Sequence, residues 1–141
     1  MRRLSFLARD ERGAAVVELA LSLPILILMI YGIFEFCQLY EANAGMQHAL
    51  GEGARYATLY DTTTTNHIPT DANIKAKMQA KLFGPYGGSF NIQDPVTPSA
   101  TTCVSCRQLT ITYTRTMNFL FFTGPTITLT RSKLAYTSVN G

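Results

Sequence analysis

Few side chains in this chain have the chemistry of a catalytic or metal-binding site. The cysteines are Cys37, Cys103 and Cys106, and the histidines are His48 and His67. Cys103-Val104-Ser105-Cys106 has the C-x-x-C spacing of half a structural zinc site, but the second half is missing, because Cys37 borders an apolar run and the histidines are isolated. A thioredoxin-type redox role needs a βαβ unit around the pair, and no such pattern precedes it. In an oxidising compartment a local Cys103–Cys106 disulfide is the simpler expectation, with Cys37 left free. No Ser, His and Asp constellation, phosphate-cradling glycine loop or paired general acid and base stands out, so neither enzymatic activity nor a cofactor or metal is expected.

Glu18 is different. It lies five positions into Ala14–Phe34, a run of 21 residues in which it is the only charge. A carboxylate in such a run is costly and marks a functional site by default. Gly13 ends a charged leader and Ala14 opens the run, so a cut between them creates an amino group at Ala14, one helical turn from Glu18 on the same face. A carboxylate near a helix N-terminus is also favoured by the dipole. The pair then neutralises itself within one chain, or Glu18 meets the amine of a neighbouring chain and makes membrane burial a driver of ordered assembly. The alternative is an uncut span in which Glu18, at a depth of about 7 Å, snorkels to the interface.

These residues need a long helix to carry them. At 1.5 Å per residue, Ala14–Phe34 extends about 31 Å, the thickness of a bilayer's hydrocarbon core. Pro24 predicts a kink there, with hydroxyls such as that of Ser22 meeting the freed backbone groups. A removable secretory signal has a shorter apolar core, and the Ala42-Asn43-Ala44 triplet lies well beyond this run, past Glu35 and Glu41. Arg2, Arg3, Arg9 and Arg12 precede the span and orient the N-terminus to the cytoplasm and the remainder outward. The same leader carries +2 of the net charge of +3, and the balance beyond Gly13 is nearly neutral, which argues against nucleic acid as a partner. Past the span, Phe36, Tyr40, Met46, Leu50, Ala57 and Tyr60 recur at helical steps and predict an amphipathic continuation whose apolar stripe needs a partner surface.

The chain changes character near Tyr60. No threonine precedes Thr58, and five of the six prolines follow Tyr60. The expected fold class is α+β: a long N-terminal transmembrane α-helix continuing into an amphipathic helix, then a small α+β domain with an antiparallel β-hairpin. The expected division is 1–13 cytoplasmic leader, 14–60 helix and 61–141 extracytoplasmic domain. Thr70 caps a short helix carrying Ile74, Met78 and Leu82, which Gly84-Pro85 stops, and a loop rich in Gly and Pro follows. Leu109, Ile111 and Tyr113 alternate with threonines, as do Ile127 and Leu129, which predicts the two hairpin strands. Met117-Asn118-Phe119-Leu120-Phe121-Phe122 between them is strongly apolar, as core packing or as a docking or membrane-touching edge.

Gly13-Ala14-Ala15-Val16-Val17-Glu18-Leu19-Ala20-Leu21, Leu23-Pro24, Gly32-Ile33-Phe34-Glu35 and Glu52-Gly53-Ala54-Arg55-Tyr56-Ala57, in that order, resemble the TadE-like family, minor pseudopilins of tight-adherence (Tad, Flp-type) type IV pili. The resemblance covers residues 13–57. It implies cleavage after Gly13 by a prepilin peptidase, with Glu18 as the fifth mature residue. It also implies partnership with the inner membrane, a major Flp-type pilin, other minor pseudopilins and a pilus assembly platform, and a role in pilus biogenesis, secretion and adherence. Leu19 stands where major Flp pilins have a tyrosine, and the long C-terminal part is unlike theirs. The competing reading is an uncleaved, membrane-tethered periplasmic binding module.

Overall fold

The computed structural model describes residues 11–59, 65, 67–98 and 105–137. Its first element is a 47-residue helix, α1 (Glu11–Ala57), which at the helical rise is about 70 Å long. Helical assignment continues through Pro24. The proline leaves the carbonyl of Ala20 without its usual donor, and one residue away the Ser22 hydroxyl donates to the Leu19 carbonyl at 3.1 Å. From Gly13 on, α1 is long and apolar enough to cross a membrane, and no residue of its most apolar 18-residue window is buried against the rest of the described residues.

The second half of α1 has a different environment. Glu35, Ala42, Met46, Ala49, Leu50, Ala54 and Ala57 are buried in a seam with helical spacing. Met46, Leu50 and Ala57 of the expected stripe lie in it. Phe36 and Tyr40 do not: they are 60% and 75% exposed, and Tyr60 lies outside the described residues. The reason is steric. Four alanines in the seam let the helix axis approach the sheet closely, and large rings are displaced to its flank.

Helix α2 (Asp71–Lys81) starts as expected, with the Asn73 amide donating to Thr70 Oγ1 at 3.2 Å, and it buries Ile74 and Met78 against α1. Its end corrects the expected glycine stop. The cap is Leu82 in extended conformation, and its N–H donates to the Gln79 carbonyl. Gly84 serves packing instead: a Cβ there would run into the Phe90 ring.

Strands β1 (Ser89–Ile92), β2 (Cys106–Phe119) and β3 (Phe122–Tyr136) form an antiparallel sheet in the order β1-β2-β3. The expected hairpin is β2–β3, paired in register Tyr113↔Leu129 and Thr112↔Thr130. Strand β1 falls where a loop is expected, because four residues are too few to display alternation. Leu109, Ile111, Tyr113, Arg115 and Met117 face α1, while Thr112, Thr114 and Thr116 pair with Thr130, Thr128 and Thr126 on the outer face. Thr116 Oγ1 and Thr126 Oγ1 lie 2.8 Å apart, a cross-strand hydrogen bond. The core cluster therefore draws on α1, α2 and all three strands.

Two glycines of α1 test this packing with opposite signs. A Cβ at Gly45 would collide with the Phe83 carbonyl oxygen and lie 2.9 Å from its carbon, whereas a Cβ at Gly51 meets nothing. Gly45→Ala is expected to destabilise the detergent-solubilised protein by about 1–3 kcal/mol through overpacking. Gly51→Ala is expected to stabilise it by about 0.5–1 kcal/mol, because alanine loses less backbone entropy in a helix interior. Thermal unfolding of the two variants checks the pair; equal shifts would contradict the packing described.

Candidate functional site

The first candidate site is the N-terminal end of α1. Helical structure is described from Glu11 on, so the Gly13–Ala14 junction lies within α1. Nothing surrounds the position of a Cβ at Gly13. Ala14 and Glu18 are both exposed, one turn apart, and Glu18 has no hydrogen bond or ion pair among the described residues. The spacing inferred from sequence is thus present, on a helix surface that none of the described residues covers. Residues 1–10 lie outside the described residues.

The second site is one that sequence reasoning missed. Glu35 follows directly on Phe34, the last residue of the apolar run, and points not to solvent but into the domain. Arg115 on β2 meets it with two parallel hydrogen bonds, Nε to Oε2 at 3.0 Å and Nη2 to Oε1 at 3.2 Å. The side chains are 4% and 8% exposed. Two more bonds complete the arrangement: Arg115 Nη1 donates to the Tyr86 carbonyl at 2.6 Å, and the Asn118 amide donates to Glu35 Oε1 at 3.4 Å. Gly87, with φ of +87°, turns the chain so that this segment lies beside the guanidinium.

Burial works against the Arg115 cation, but the hydrogen bonds and charge of Glu35 outweigh it, and the arginine's pKa is raised. The geometry is bidentate and fork-to-fork, the strongest form of this contact. A signal for it exists in the sequence. On a strand where Leu109, Ile111 and Tyr113 face inward, Arg115 has the same parity, and an inward arginine requires an acidic partner.

The remaining candidates are placed as follows. Cys37 is free and exposed. Cys106 is buried at the start of β2, and its expected partner Cys103 lies outside the described residues. His48 is exposed, its Nδ1 lying 3.2 Å from the Lys81 carbonyl and its ring beside Phe83. Ion pairs Lys75–Asp94 at 2.7 Å and Arg107–Asp71 at 3.0 Å join α2 to the segment after β1 and to the start of β2. Both are partly exposed and contribute little stability. Among the described residues no three His, Cys, Asp or Glu side chains are grouped to hold a metal ion.

Removing one partner of the Glu35–Arg115 pair strands the other charge in a buried site. Glu35→Leu and Arg115→Met are each expected to cost about 3–5 kcal/mol, and the two combined are expected to cost less than their sum. A double-mutant cycle by chemical denaturation in detergent measures this. Additive losses would mean that the two side chains do not depend on each other.

Comparison with known proteins bears on the helix alone. No curated protein and no solved structure gives a significant match. A family model described as TadE-like protein matches residues 13–55, a segment that contains Gly13, Ala14, Glu18 and Glu35 and ends within the last turn of α1. Over residues 13–55 the N-terminal helix is thus similar to that of TadE-like proteins, and it is long and apolar enough to cross a membrane.

Proposed function

We propose that the protein is a minor pseudopilin of a Tad/Flp-type pilus system and not an enzyme. It is made as a single-pass inner-membrane precursor, cut after Gly13, and supports pilus assembly, secretion and adherence. The observation that carries this reading is the position of Glu18: a lone carboxylate, exposed and without a hydrogen bond or ion pair among the described residues, one turn from Ala14 on an apolar helix that matches the TadE-like family model. Once the leader is removed, the new amine at Ala14 and the carboxylate neutralise each other, within the chain or between neighbours in a helical bundle. The partners that follow are a prepilin peptidase, the major Flp-type pilin, other minor pseudopilins and the assembly platform. The functional division is a cytoplasmic leader at 1–13, the helix at 14–60 and an outward domain at 61–141, whose sheet travels with the helix into any assembly.

The peptidase must read the junction, and the assembly partner must read the glutamate. Gly13→Val places a branched side chain in open space beside the scissile bond and is expected to leave an uncut, membrane-bound precursor. Glu18→Gln keeps the shape but removes the charge; it is expected to be cut normally yet to fail to restore pili in cells lacking the wild-type copy. Gel mobility and pilus counts give both readouts. Normal piliation by Glu18→Gln would contradict the assembly role.

Orientation and cysteine pairing are tested together. With the domain outward in an oxidising compartment, Cys103 and Cys106 form a disulfide closing a short loop, which adds about 2 kcal/mol of stability by the loop-entropy relation. A membrane-impermeant maleimide added to spheroplasts is expected to modify Cys37 alone, and reduction in denaturing detergent is expected to release two further thiols. No adduct before reduction would contradict the orientation, and more than one would contradict the disulfide.

A further inference from the structure

Among the described residues the β2–β3 turn is the most apolar exposed feature outside the helix. Leu120, Phe121 and Phe122 are 54%, 65% and 55% exposed, and the rings of Phe119 and Phe122 stack with centroids 4.9 Å apart. An aqueous hairpin turn usually carries Gly, Asn or Asp at its tip, whereas this one carries Leu120 and Phe121. No charged residue occurs between Arg115 and Arg131, so the whole end of the hairpin is uncharged.

Its position along α1 gives the turn a meaning. Strand β2 runs antiparallel to the helix: Leu109 lies near Gly53, Arg115 binds Glu35, and Phe119 Cε1 is 4.0 Å from the position of a Cβ at Gly32. Tyr31, Asn118, Phe119 and Leu120 line one shallow depression. The turn is thus level with the last turn of Ala14–Phe34, past the Glu35–Arg115 pair on the side of the apolar run. Around it Met29, Ile30, Ile33 and Phe34 are at least 56% exposed.

We infer that the turn Phe119–Phe122 is a second membrane contact, seated among phospholipid headgroups and upper acyl chains of the outward leaflet. The inference rests on α1 spanning the bilayer, and the occupant follows from continuity: whatever medium surrounds Ile30, Ile33 and Phe34 also surrounds a turn at the same depth. Aromatic and aliphatic side chains on a polar-edged element suit that boundary. The contact holds the domain down on the membrane and fixes which face of α1 looks toward the sheet. Helix and turn must then leave the bilayer together when the subunit is withdrawn.

The chain contains no tryptophan, so a single substitution is a clean fluorescent probe. The full-length protein carrying Phe121→Trp is reconstituted in phosphatidylcholine vesicles with bromine on the upper part of the acyl chains, and the protein carrying Leu23→Trp in vesicles with bromine near the chain ends. Leu23→Trp serves as the reporter within the span and Tyr136→Trp as the reporter at the far end of the sheet. The expected result for Phe121→Trp is a roughly twofold or larger loss of emission to bromolipid and little loss to aqueous iodide, since a ring at this boundary touches the bromines. Tyr136→Trp shows the reverse. Quenching of Leu23→Trp by bromolipid while Phe121→Trp responds to iodide would overturn the inference and leave the span intact. Shielding of Phe121→Trp from both quenchers would also overturn it, since protein would then cover the turn. Failure of bromolipid to quench Leu23→Trp would overturn the span and the inference together.

Discussion

The Glu35–Arg115 pair sits where one helix passes from an exposed apolar stretch into the packed core of the domain. Between Gly13 and Phe34 α1 is almost wholly apolar and none of its residues is buried by the described chain; from Glu35 onward the helix has a buried seam of alanines with Met46 and Leu50. The pair lies at the changeover and joins helix to strand with two hydrogen bonds. Buried ion pairs are weak contributors to net stability compared with an apolar replacement, but costly to break. Here the cost gives register. A helix shifted along the sheet by one turn would pull Glu35 away from Arg115 and leave both charges buried and unpaired.

Much else depends on that register. With Glu35 fixed, Ala42, Met46 and Ala49 face the sheet and α2, Gly45 meets the backbone at Phe83, and Phe119 comes level with Gly32. The domain is therefore not a separate body tethered to an anchor. Its core includes the second half of the helix, so force applied to the helix is transmitted to the sheet. This suits a subunit whose helix is handled by an assembly machine and whose sheet must follow.

The parts legible in the sequence were those with long periodic signals or side chains of unusual cost. Ala14–Phe34 is readable because few uninterrupted runs reach membrane thickness, and Glu18 because charge is rare in such runs. Alternation of Leu109, Ile111 and Tyr113 with threonine revealed β2, and Thr70 revealed the start of α2. What was not legible depended on partners distant in the chain. The stripe through Phe36 and Tyr40 has the right period but not the buried face, because the sheet accepts alanine where rings do not fit. In the sequence Glu35 only marks the end of the apolar run, and the strand 80 residues later shows it to be buried. Strand β1 is held by pairing with β2, from Ser89↔Thr114 to Ile92↔Ile111, and its four residues carry little pattern of their own.

The central claim is that this helix is used after its leader has been removed, because only then does Glu18 acquire the Ala14 amine as a partner. Intact-mass measurement on the protein isolated from membranes of cells that make Tad pili tests it most directly. The account predicts a chain that begins at Ala14 and lacks residues 1–13. A chain that retains its leader would contradict it and favour the uncleaved, membrane-tethered binding module.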